Sequence, residues 1–138
     1  MSLLSRNGRM SFTELARQAG LSVSAVHQRV RRLETEGVIK GYVALCDPDV
    51  IGLPLTAFVS IKPFDQAAPD DVPERLRDLV AIEACHSVAG DENYILKVRV
   101  ASPTDLENLL QQIRTRANVS TRTTIVLSTP YENRPPVL

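Results

Sequence analysis

The chain has 138 residues, with 16 basic and 16 acidic side chains and a formal net charge of zero. That length bounds it to one medium domain or two small ones, and no stretch approaches the roughly twenty apolar residues of a membrane span. Cys46 and Cys85 lie far apart without metal-ligand spacing; with no leader pattern at the N-terminus, we expect two reduced thiols in a cytoplasmic protein holding no metal and touching no membrane.

The first predicted helix carries Phe12, Leu15, Ala16 and Ala19 at i, i+3, i+4 and i+7, one apolar stripe. Gly20 suits the left-handed residue that ends such a helix, Leu21 plugs the corner, and Ser22 is a good N-cap for the next. The second helix places Val23, Val26, Val30 and Leu33 on its inner side. At 100° per residue its other face carries Ser24, Ala25, Gln28, Arg31 and Arg32, flanked by His27 and Arg29. This is the pattern of a helix-turn-helix, whose second helix enters the major groove of double-stranded DNA. Gln28 can pair bidentately with adenine, and arginines suit guanine or phosphate. The plain alternative is a helical hairpin with a solvated basic face, and for Arg32 an ion pair with Glu36 competes with a DNA contact. Charge distribution favours DNA. Through Gly41 there are seven basic and three acidic residues, whereas from Tyr42 onward there are nine basic and thirteen acidic. A basic head on an acidic body suits a protein that meets phosphate at one end.

Val38 to Leu45 alternates like a short strand, and Tyr42 to Pro54 reads as the connection to the body. Leu55 to Lys62 is the first body strand, with Leu55, Ala57, Val59 and Ile61 on one face. Pro69-Asp70-Asp71 opens a helix whose stripe is Val72, Leu76, Leu79 and Val80. Ile82 to Ala89 is a strand, Gly90-Asp91-Glu92 a tight turn, and Asn93 to Val100 the strand that returns. Ser102 and Pro103 start a helix with Leu106, Leu109, Leu110 and Ile113 inward. A last strand runs from Val119 to about Thr129, before a proline-rich tail.

The reading is α+β. It has a helix-turn-helix (winged-helix-like) domain over 1–41, a linker over 42–54, a βαββαβ ferredoxin-like domain over 55–129 and a tail over 130–138. Both helices cover one sheet face. The other mixes Phe58, Cys85, Ile95 and Val126 with polar residues. It is too apolar for water and too polar for a monomer core, so we expect a homodimer pairing sheet against sheet.

The helix pair LARQAGLSVSAVHQRVRRLETEGVIKGY, the segment Cys85 to Asp91, the strand Tyr94 to Val98 and the Arg122-Thr123 strand resemble the Lrp/AsnC, or feast/famine, family of transcription regulators. The run Arg29 to Tyr42 is the specific part. The resemblance implies an N-terminal DNA-binding domain, a C-terminal domain for amino-acid effectors, and dimers assembling into octamers. Two features depart from it. The family carries a complete helix ahead of the pair, of which Met1 to Gly8 resembles the last turn, so we expect a less stable head. The family's G-D-x-D-[YF] turn reads Gly90-Asp91-Glu92-Asn93-Tyr94 here, and Asn93 in place of a carboxylate alters the contact with an effector's amino group.

For DNA the candidates are Ser22, Ser24, Gln28, Arg31 and Arg32, with His27 and Arg29 flanking. For the effector they are Gly90, Asp91, Glu92 and Asn93, with Thr121 and Thr123 as weaker guesses, against the alternative of a plain hairpin turn. No catalytic set is expected, because Cys85 and His86 are adjacent in a strand and face opposite ways. The rival readings are a ferredoxin-like small-molecule sensor or metabolic-enzyme subunit without DNA binding, and a metal-responsive regulator using His27, His86 and the thiols.

Overall fold

The structure is a computed structural model that describes residues 1–138. It divides into a head, residues 1–45 joined by tail residues 130–138, and a body, residues 46–129. The stretch 42–54 is thus shared between the two.

The head holds three helices: α1 (Ser2–Arg6), α2 (Phe12–Ala19) and α3 (Val23–Thr35). Each of the longer two starts on a serine. Ser11 Oγ accepts from the Glu14 amide at 3.1 Å, and Ser22 Oγ from the Ala25 amide at 3.2 Å. These bonds satisfy donors that the first helical turn leaves open. Gly20 ends α2 at φ 65°, a left-handed conformation that costs glycine little. Leu15, Ala16, Val26 and Val30 form the buried cluster, with Leu3, Leu4, Met10, Phe12 and Leu21 packed against it. Two inward assignments do not hold. Ala19 is exposed at the C-terminal end of α2, and Val23, the first residue of α3, is 43% exposed. The segment 38–45 forms no strand: no neighbouring strand in the chain takes its hydrogen bonds, and Val43 and Leu45 stay exposed. In the single chain no strand lies between α3 and the body.

The body holds β1 (Leu55–Pro63), α4 (Val72–Leu76), β2 (Ile82–Ser87), β3 (Tyr94–Val100), α5 (Pro103–Ala117) and β4 (Val119–Ile125). The strands lie in the order β2-β3-β1-β4, all neighbours antiparallel, which is the βαββαβ arrangement. Ala57, Val59 and Ile61 of β1 alternate with Phe58, Ser60 and Lys62; the first set packs with Leu96, Val98, Leu76, Leu109 and Ile113 under the helices. Ser102 caps α5 by accepting from the Asp105 amide and donating to Asp105 Oδ2 at 2.6 Å.

Three details differ from the pattern. The first body helix stops at Leu76; tight i→i+3 bonds (Leu79 amide to Leu76, Ile82 amide to Leu79) keep Leu79 buried but turn Val80 out to 95% exposure. Leu110 faces the core as expected but packs at its edge, half-buried. β4 ends at Ile125, with one further ladder bond from the Val126 amide to the Thr56 carbonyl, short of the expected end near Thr129. Finally, a bulge in β2 between Ile82 and Ala84 shifts the register, so Cys85 pairs with Leu96 on the helix side while His86 faces Ile95. Cys85 therefore leaves the open sheet face. Phe58 and Ile95 stay on it, and Val126 joins them by donating to the Thr56 carbonyl.

Candidate functional site

Because Val26 and Val30 anchor α3, its outward face follows from helical geometry. Ser24, Gln28, Arg31 and Thr35 fall within about 60° of arc, and all four are exposed. Thr35 was missed by pattern reading, although the same 100° arithmetic places it there; its hydroxyl donates to the Arg31 carbonyl at 2.8 Å. Ser22 is occupied as the cap, and its hydroxyl lies 3.2 Å from that of Ser24. The other predicted contacts divide. Arg29 and Arg31 make no side-chain ion pair, whereas Arg32 Nε donates to Glu36 at 2.7 Å. His27 stacks on Phe12, ring centroids 4.1 Å apart and planes inclined by 57°. Arg17 on α2 is held by Glu14 at 2.6 Å. The face thus offers one unpaired guanidinium, that of Arg31, an amide and small hydroxyls, a set suited to phosphate and base edges together, while Arg29 lies on the flank that borders Leu3, Leu4 and Val30.

The second candidate lies where β2 turns into β3. Gly90, Glu92 and Asn93 line a cleft of about 230 Å³ with Asp70, Ser87, Val88, Ala89 and Tyr94. Asp91 does not line it. The Asn93 amide donates to Ile61 and the Val88 amide to Asn93, which fixes both stems of the turn. Between them the amides of Ala89, Gly90, Asp91 and Glu92 take no protein acceptor. Glu92 pairs with Arg122, which reaches it from β4. Thr121 and Thr123 flank Arg122 but pair with Ile61 and Val59 on the helix side of the sheet, and Arg114 Nη1 donates to Thr121. Their side chains are not brought to the turn. Asp70 enters the cleft from the loop before α4, with no local signal to announce it: the Tyr94 hydroxyl donates to its Oδ1 at 2.6 Å. That hydrogen bond, then burial, pushes the Tyr94 phenol up to about 12.

Cys85 and His86 do not meet, and burial, then Glu74, pushes the Cys85 thiol up, so it is protonated at neutral pH. No group of three His, Cys, Asp or Glu side chains is placed to hold a metal ion. No helix is long and apolar enough to cross a membrane.

Comparison with known proteins matches both parts of the chain. Residues 1–40 match the family model described as winged helix-turn-helix DNA-binding, and residues 56–136 the one described as Lrp/AsnC ligand binding domain. The HTH-type transcriptional regulator LrpA of Mycobacterium tuberculosis is 56% identical over 131 residues, covering 95% of this chain and 87% of the relative. The leucine-responsive regulatory protein of Escherichia coli K12 is 37% identical over 129 residues, covering 90% and 78%. Among solved structures, the feast or famine regulatory protein of M. tuberculosis complexed with L-methionine has a TM-score of 0.97 at 53% identity, covering 99% of this chain and 93% of that one. With a matched helix-turn-helix domain, a matched ligand-binding domain and relatives of this identity along most of its length, the chain belongs to the Lrp/AsnC family of DNA-binding, helix-turn-helix transcriptional regulators.

Proposed function

We propose that the protein reads its operator through α3, with Ser24, Gln28 and Arg31 at the base edges and Ser22, His27, Arg29 and Arg32 along the flanking phosphates. The observation that carries this reading is the exposed outward face of α3, where Gln28 and Arg31 stand together and Arg31 has no ion-pair partner in the protein. A homodimer joined through the open sheet face around Phe58 and Ile95, and assembling further into an octamer, sets two such helices over half-sites about 34 Å apart or multiples of that.

The effector in this reading is an amino acid or related small metabolite bound between dimers, at the turn Gly90, Asp91, Glu92, Asn93. Unpaired amides suit its carboxylate, and a relative complexed with L-methionine supports the class of ligand. Thr121 and Thr123 take part only if a neighbouring copy carries them to the cleft. We place the protein in the cytoplasm as a regulator rather than an enzyme, in keeping with the names of its relatives.

Binding to duplex DNA, followed by fluorescence anisotropy over a range of salt concentrations with and without L-methionine, tests this. We expect sequence-selective, salt-dependent binding whose affinity or footprint changes with the amino acid. Binding that ignores both sequence and salt would remove the DNA assignment.

A further inference from the structure

The cleft beside the 88–93 turn contains an imbalance of charge. Its volume, about 230 Å³, is small against the roughly 300–1,000 Å³ of pockets for drug-sized ligands. It fits one small metabolite. Two carboxylates line it, Glu92 and Asp70, and no cationic side chain does. Glu92 is already met by Arg122. Asp70 is met only by a neutral hydroxyl, that of Tyr94 on its Oδ1, and no ion pair compensates its charge. The hydroxyl also fixes the carboxylate's orientation, because Tyr94 is itself buried in the body core. A nearby carboxylate reinforces the bias: Glu74, like Asp70, adds to the cost of ionising Tyr94.

We propose that Asp70 receives the ammonium group of the effector amino acid and so restricts the cleft to ligands carrying a free amino group. The free backbone amides of the turn take the carboxylate, and the two contacts together read the α-amino acid as a zwitterion. This rests on the effector reading above and adds to it the residue that sets ligand class. A hydrogen bond made by two charged partners is short and strong, so its loss is measurable even at an exposed site. Asp70 is a suitable residue to alter, since an asparagine there keeps an oxygen to accept from Tyr94 while removing the charge.

The test compares L-methionine with its analogue lacking the amino group, by calorimetric titration of the full chain as wild type and as Asp70→Asn, with matched thermal melts. Wild type is expected to prefer L-methionine by roughly tenfold or more. Asp70→Asn is expected to lose that preference, its affinity for L-methionine falling to that for the analogue while the analogue's own affinity stays unchanged. If both ligands weaken together, or neither changes, Asp70 is not the ammonium site although the cleft still binds an effector. If wild type binds neither L-methionine nor any other common amino acid, the effector reading itself fails and the proposal with it.

Discussion

Gln28 and Arg31 stand three residues apart on one face of α3 and offer different chemistry to a duplex. A guanidinium neutralises phosphate whatever the base, whereas a primary amide matches the donor and acceptor of one base edge. Arg31→Ala should therefore weaken binding to every sequence and reduce the slope of log affinity against log salt by about one. Gln28→Ala should leave the slope intact and cost about 1–3 kcal/mol of discrimination at a single base position. Anisotropy titrations on an operator and its point variants measure both. Tyr94 makes a different prediction. Its neutral phenol donates to Asp70, so the folded value is raised from 10.0 to about 12. A raised folded value means the bond's contribution is complete below about pH 10 and is lost as the pH climbs towards about 12. Burial and the Glu34 carboxylate also raise Tyr42, so tyrosinate absorbance should show Tyr94 as the last phenol to ionise, and Tyr94→Phe should remove that latest step. If all three tyrosines ionise together near pH 10, the hydrogen bond to Asp70 is absent.

At the level of helices and strands, α5 carries the clearest test of packing. Ile113 is fully buried, and Ile113→Ala should cost about 2–5 kcal/mol. That lowers the body's thermal midpoint by roughly 4–8 °C per kcal/mol, as calorimetry would record. This helix was legible in the sequence because Ser102, Pro103 and the leucine spacing agree. So were α2 and α3, each opened by a serine cap, and the face of α3 followed from their spacing. The misread parts share a cause: their outcome depends on a distant neighbour. Val38 to Leu45 alternates well but has no strand beside it. The β2 bulge changes which side Cys85 takes, and a period of two cannot reveal an extra residue. The cleft was half legible. Its turn announces itself through Gly90, but Asp70 arrives by topology from a loop twenty-odd residues earlier, and Arg122 from the far edge strand.

For the whole molecule, the open sheet face is the feature with the widest reach. Phe58 sits on the central strand between β3 and β4, beside Lys97 and Thr124, and is 39% exposed in the single chain. If this face joins two copies, Phe58→Asp places an unpaired carboxylate in a dry interface, which is strongly unfavourable. Sedimentation should then show monomers in place of the wild-type assembly. DNA affinity should fall with it, since one head neutralises fewer phosphates than two. An unchanged sedimentation coefficient would assign the interface elsewhere.

The head core has only four buried apolar side chains, Leu15, Ala16, Val26 and Val30, beside a groove lined by Leu3, Leu4, Leu15, Leu21 and Val26. A fold so thinly filled has little reserve against heat. Scanning calorimetry should resolve an early, small melting event for the head ahead of a larger one for the body. Operator DNA, by associating only with the ordered form, should raise the early event in proportion to the logarithm of its concentration. At physiological temperature, the duplex would then act as scaffold as well as target, and occupancy of the promoter would itself protect the reading helix from proteolysis.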